Sequence, residues 1–220
     1  MKLLLTSAGL RNKKITNVLL DLVGKPARKI NVVFIPTAAN YERGDKGWLI
    51  DDLSNFKKQN FKSIDIVDIS ALEKQDWEPA VRNADVIAVG GGNTFHLMHW
   101  INKSGLGRIL PDLLKNKVYF GISAGSCVVG PKVLSKVQDF FAEEENKYKI
   151  EDGLGFVSFL ILPHYNSPFL TNIREKNVRK KAKEEKYSMY AIDDQSAIKV
   201  VGDKVEIVSE GNYLILDKNE

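Results

Sequence analysis

Short runs rich in apolar residues, spaced by longer amphipathic stretches, set the limits on what this chain can fold into. The runs lie at 2–6, 30–35 (INVVFI), 63–69, 85–89 and 118–122. Segments 15–23, 48–58, 77–83, 93–102 and 106–114 separate them and carry apolar residues at helical spacing, as with Leu19, Leu20 and Val23. Apolar runs of five or six residues fit strands that are buried on both faces. Strand, helix, strand, helix in that order predicts an α/β fold: a mostly parallel sheet with helices on both faces. Gly24 and Pro26 stop the first helix, and Pro36 ends the second strand.

After about residue 130 the pattern changes. A buried strand is expected at 156–162, ended by Pro163, and a polar helix at 168–186. Four short runs follow at 189–192, 197–201, 204–208 and 213–216. Gly202-Asp203 and Gly211-Asn212 separate the later ones and read as turns. These runs are expected to extend the sheet in antiparallel fashion at its C-terminal end. No internal repeat, low-complexity segment or linker interrupts the 220 residues, so one domain spanning 1–220 is expected.

Composition narrows the function classes. The net charge of +4, from 32 basic and 28 acidic residues, is too small to force a nucleic-acid reading. The basic segment 171–186 lacks an aromatic stacking platform nearby and reads as a solvated helix face. A single cysteine, Cys127, excludes an intramolecular disulfide and a Cys-ligated zinc site. The opening Met1-Lys2-Leu3-Leu4-Leu5 is too short for a secretory signal, and no run approaches a membrane span. A cytoplasmic protein without nucleic-acid or membrane partners is expected, as a monomer or homodimer.

The chemistry concentrates in three segments. The first is G-I-S-A-G-S at 121–126, a G-x-S-x-G motif directly after a buried strand. A tight strand-to-helix turn there exposes the Ser123 oxygen above the sheet, and the glycines allow close backbone approach. A serine nucleophile needs a base. His164 follows the 156–162 run and Pro163, at a strand end, where open α/β sheets place their sites. His96 and His99 lie three apart beside Trp100 and read as ordinary helix histidines. The third segment, Gly90-Gly91-Gly92-Asn93-Thr94, offers backbone N–H groups for an anion or a tetrahedral oxyanion. It lacks the dinucleotide fingerprint and any Walker lysine.

With V-G-G-G-N-T-F at 89–95, G-I-S-A-G-S at 121–126 and L-P-H-Y-N at 162–166 in that order, the chain resembles the peptidase E family. These are serine peptidases of the aspartyl dipeptidase and cyanophycinase type, with a class I glutamine amidotransferase-like fold. The opening L-L-T-S and V-V-F-I-P-T-A at 32–38 match the family's first two strands. The resemblance implies an exopeptidase acting on short peptides, above all dipeptides with N-terminal Asp, through an acyl-enzyme. A β-aspartyl or cyanophycin-like peptide is the alternative substrate, and an anion-binding protein using Gly90–Asn93 is the alternative class. By the same resemblance Ser123 attacks, His164 is the base, and Ala124 with Gly91 or Gly92 forms the oxyanion hole. For the third member Asp139 is chosen, sixteen residues after Ser123, with Glu143, Glu144, Glu145, Asp193 and Asp194 as rivals. Arg174 is the candidate cation for an acidic substrate side chain, with Lys176 behind it, and Asn93 is a further substrate-binding candidate. No metal or organic cofactor is implied. Cys127, four residues past the elbow serine, reads as a small core residue. The acidic stretch 139–152 is read as a flap over the site.

Overall fold

The computed structural model describes residues 1–133, 140 and 147–218. Five parallel strands form its centre: β1 (Lys2–Thr6), β2 (Asn31–Ile35), β3 (Ser63–Ile66), β4 (Val86–Val89) and β5 (Val118–Ile122). They lie in the order β3-β2-β4-β5-β1. The antiparallel strands β8 (Ser196–Val201) and β9 (Lys204–Ser209) continue the sheet past β1, giving seven strands.

Side chains alternate across this sheet as a period of two requires. Leu3, Leu5, Val33, Ile35, Ile87, Val89 and Tyr119 point into one core. Leu4, Val32, Phe34, Val86, Ala88, Val118 and Phe120 point into the other. Both faces of β4 and β5 are dry, and these strands contain no charged residue, whereas β3, expected as a buried strand, is an edge strand that is largely exposed. The second core is closed by α1 (Lys13–Val23), through Ile15, Leu19 and Leu22, and by α3 (Gly47–Lys57), through Phe56. The first is closed by α4 (Lys74–Asn83), α5 (Thr94–Ser104) and α6 (Leu106–Leu113). Local chemistry sets the helix ends. Asn12 accepts from the N–H of Ile15 at the start of α1, and Gly24 ends it at φ 71°.

The C-terminal part departs from expectation. The 156–162 run is a strand only at Leu160–Leu162 (β6), because the N–H groups of Phe156 and Val157 bond to Val129 O instead of a strand. The 168–186 run is helical only at Glu175–Glu184, after a loop that the Asn166 N–H to Ile173 O bond closes. The strands β7 (Met189–Ile192) and β10 (Tyr213–Leu216) do not extend the main sheet. They pair with β6 in a separate three-stranded sheet, order β10-β7-β6. In it β6 and β7 run parallel, and β10 runs antiparallel to β7. A short helix not expected from the sequence, α2 (Thr37–Tyr41), follows β2 directly. Asp68 anchors it by accepting from Thr37 Oγ1 (2.8 Å) and Asn40 Nδ2 (2.6 Å). Among the described residues no helix is long and apolar enough to cross a membrane.

Candidate active site

Ser123 stands between β5 and the four-residue helix α7 (Ala124–Cys127) with φ 49° and ψ −110°. A non-glycine residue held there stores roughly 1–3 kcal/mol of strain. The surroundings hold it in place. A Cβ at Gly125 would lie 2.0 Å from Val89 O, and one at Gly121 would lie 2.8 Å from Gly125 O. Both glycines are therefore demanded by close backbone approach. The Ser123 N–H bonds to Thr6 O at 3.0 Å, and Ser126 Oγ donates to the same carbonyl at 2.8 Å. Thr6 Oγ1 donates to Gly121 O, and buried Tyr119 donates its hydroxyl to Gly125 O, each at 2.7 Å. The end of β1 thus clamps the elbow from below.

His164 follows β6 and also has positive φ, 61°. Its backbone N–H donates to Ser7 Oγ at 2.8 Å, and its carbonyl accepts from the Ser167 N–H at 3.0 Å. The ring is 20% exposed. Its Nε2 lies 3.0 Å from Ser123 Oγ, and its Nδ1 lies 2.7 Å from Asp194 Oδ1. A carboxylate at Nδ1 fixes the proton there and leaves Nε2 to accept from the serine. Asp194 also accepts from Ser7 Oγ at 2.6 Å. Burial pushes the Asp194 carboxyl up, but the His164 ring, the Ser7 hydroxyl and nearby Arg11 outweigh it and hold the group below its ordinary value. Asp194 is therefore ionised wherever the ring needs it.

The carboxylate on His164 is thus one of the rivals weighed from sequence. Asp139, chosen there, lies outside the described residues, as do Glu143, Glu144 and Glu145. Asp193 is occupied elsewhere: its carboxylate accepts from the Gln195 N–H, Ser196 Oγ and the Asn212 N–H, fixing the turns beside β8. Adjacent aspartates take different partners because the chain turns here, with the Ser196 N–H bonded to Asp193 O at 3.0 Å. Ser7 was missed as a member of the site. Its one signal was position, directly after the apolar run 2–6 and so at the carboxyl end of a central strand.

The glycine loop divides its tasks. A Cβ at Gly91 would lie 3.2 Å from Ser123 Cβ and 3.8 Å from Ser123 Oγ, so Gly91 borders that side chain. Gly92, at φ 124°, packs on α2, where a Cβ would lie 2.4 Å from Ala38 O. Asn93 is 2% exposed; its Oδ1 caps α5 by accepting from the His96 N–H at 2.8 Å. That oxygen is a helix cap, which is structural work the substrate-binding expectation did not include. Arg174 sits at the start of α8 (Glu175–Glu184), and its Nη1 donates to the carbonyls of Leu170 and Ile173, each at 3.2 Å. It shapes the loop after His164, whose tip carries Phe169, 91% exposed. Cys127 Sγ donates to Ile161 O at 3.4 Å, one turn beyond Ser123.

His96 stacks on Tyr41 and its Nδ1 lies 2.9 Å from Tyr148 Oη, while His99 stacks on Tyr148. Burial and the charge of Lys147 lower the His96 pKa, so its ring is neutral. Among the described residues no group of three His, Cys, Asp or Glu side chains could hold a metal ion.

Comparison with known proteins supplies the context. The model of Peptidase family S51 matches residues 3–208. A protein of Listeria innocua named an uncharacterized peptidase is 33% identical over 181 residues, 79% of this chain and 82% of its own length. Peptidase E of Shewanella oneidensis is 36% identical over 110 residues, 49% of this chain and 43% of that protein. The crystal structure of a Peptidase E-type protein from Listeria monocytogenes superposes with a TM-score of 0.77 at 25% identity, covering 96% of this chain and 98% of that one.

Proposed function

The chain belongs to Peptidase family S51 and is a serine peptidase, and from that premise we propose that Ser123, His164 and Asp194 form its catalytic triad. The observation that carries the assignment is the continuous hydrogen-bonded path from Ser123 Oγ through both ring nitrogens of His164 to Asp194. Ser123 Oγ attacks the scissile carbonyl while His164 Nε2 takes its proton. The imidazolium that forms is stabilised by the Asp194 carboxylate. The carbonyl oxygen becomes an oxyanion held by the Ala124 N–H and one from Gly91 or Gly92, donors of a type worth roughly 10²–10³ in rate each. Collapse expels the amine, protonated by His164, and leaves an acyl ester on Ser123. Water, deprotonated by the same ring, then releases the acid and restores the serine.

The substrate class is a short peptide with an acidic N-terminal residue, and N-terminal Asp dipeptides are the first choice. The resemblance to the peptidase E family supports that class, and Arg174, at the start of α8 on the segment after His164, is the candidate cation for it. A β-aspartyl or cyanophycin-like peptide is the second choice. The test is hydrolysis of Asp-Xaa, Glu-Xaa, β-Asp-Xaa and neutral dipeptides by the wild type, Ser123→Ala and Arg174→Ala. Cleavage of Asp-Xaa that Ser123→Ala abolishes supports nucleophile and substrate together. Unchanged turnover in Ser123→Ala removes the assignment, and unchanged Asp preference in Arg174→Ala removes that side chain from recognition.

A further inference from the structure

Asp52 sits on α3 with its side chain turned inward, 4% exposed. Its Oδ1 has no hydrogen-bond partner among the described residues. Leu49, Leu53 and Phe56 occupy the same face of the helix and pack in the second core. A leucine at position 52 would suit that face, whereas an unpartnered carboxyl is costly to bury. What the carboxyl meets is the loop between β1 and α1. A Cβ at Gly9 (φ 72°) would lie 3.0 Å from Asp52 Oδ1 and 3.3 Å from Ile122 Cδ1. Two residues before Gly9 is Ser7, bonded to Asp194 and His164. Two residues after it is Arg11, whose Nε donates to Ala8 O at 3.0 Å, folding it back over the same loop.

We propose that Asp52 is a positioning residue of the active site, which acts on His164 through the Ser7–Arg11 loop and through the charge it presents to Asp194. The proposal rests on the assignment of Ser123 and His164 given above. Three charged groups lie within electrostatic reach of it: Arg11 from the loop, Asp51 from its own helix and Asp194 from the turn before β8. Burial raises the Asp52 carboxyl to about 7, with Arg11 opposing and the two aspartates adding to the rise. Near neutrality it therefore exchanges between two forms. The neutral form rests against Gly9 and leaves Asp194 as the one negative charge behind the imidazole. The ionised form adds a second negative charge on the side of the Ser7–Arg11 loop that faces Asp194, so the field around the site changes with the state of Asp52.

The test is the rate of Ser123 inactivation by a serine-directed phosphonate between pH 5 and 9. Wild type is compared with Asp52→Asn, which keeps the shape and removes the titration. Asp52→Ser repeats the comparison with a smaller neutral side chain, and Asp51→Asn controls for the loss of an exposed charge. The expected result is an acid limb moved to lower pH by about half a unit in both Asp52 variants. Their profiles are also expected to narrow to a single titration, with Asp51→Asn following the wild type. Profiles of the two Asp52 variants that superpose on the wild type overturn the proposal and leave the triad standing. A wild type that the phosphonate does not label at Ser123 overturns the triad assignment and the proposal with it.

Discussion

Replacing Asp194 by Asn gives the most direct test of the triad. The carboxylate receives two donors on one oxygen, His164 Nδ1 at 2.7 Å and Ser7 Oγ at 2.6 Å. An asparagine of the same shape presents either an uncharged carbonyl oxygen or an N–H₂ group to the ring. In the second orientation the ring must carry its proton on Nε2, and it then points a hydrogen at Ser123 in place of a lone pair. In either orientation the charge that stabilises the imidazolium is lost. The same change in a Ser-His-Asp site lowers kcat by about 10⁴, close to 5 kcal/mol of transition-state stabilisation at 1.36 kcal/mol per decade. The assay is dipeptide hydrolysis, supported by phosphonate labelling where turnover becomes too slow to follow. Asp139→Asn is the companion variant. The expected outcome is a loss of about 10⁴ in Asp194→Asn and activity close to wild type in Asp139→Asn. An Asp194→Asn enzyme within tenfold of wild type would refute the assignment, and a large loss in Asp139→Asn alone would return the role to the stretch after α7.

The remaining predictions concern the support of the site. Ser7→Ala removes a donor to Asp194 and the acceptor of the His164 N–H; kcat should fall by roughly 10–100-fold, read against an unchanged KM. Gly125→Ala would place a methyl 2.0 Å from Val89 O, and urea unfolding should show a loss of at least about 3 kcal/mol. Asp52 gives a pH dependence with a defined sign. Its folded-state value of about 7 lies above the ordinary 3.8, so between those values the folded protein binds the extra proton and stability falls as pH rises. The displacement corresponds to roughly 4 kcal/mol as an upper figure, and Asp52→Asn should flatten that slope in chemical denaturation at pH 4 to 8. Asp68 has the opposite sign. Burial pushes it up, but the Ser70, Thr37 and Asn40 donors hold it below its ordinary value. Its contribution is present above about pH 4 and lost as pH falls further, so Asp68→Asn should weaken acid sensitivity in the same titration.

The parallel half of the fold was legible because β1, β2, β4 and β5 are buried on both faces, and nothing competes with that pattern. The elbow was legible for a related reason. Gly121 and Gly125 are fixed by contacts of their own backbone with neighbours a few residues or one strand away, and that demand leaves a short motif. The second sheet was not legible. An apolar run at 189–192 reads the same whether it borders β1 or β6, and only long-range pairing decides between them. Asp194 and Ser7 illustrate the same limit at the site. Asp193 and Asp194 are indistinguishable as residue types, and which one reaches His164 depends on how the chain leaves β7 and turns into β8. The orphan carboxyl of Asp52 had no signature at all, since one acid in a helix reads as a solvated residue until its surroundings are known.

The three members of the proposed triad come from different hydrogen-bonded units. Ser123 rises from the seven-stranded sheet, His164 from the end of β6 in the smaller one, and Asp194 from the link that leaves β7 and enters the larger sheet as β8. During synthesis the elbow is complete about forty residues before the base emerges, and the carboxylate follows thirty residues later still. A growing chain therefore carries its serine without the means to ionise it. On the proposed triad, hydrolysis becomes possible only once β8 has paired with β1, a long-range contact. On that assignment the chain emerges silent, and its activity would report that folding has finished.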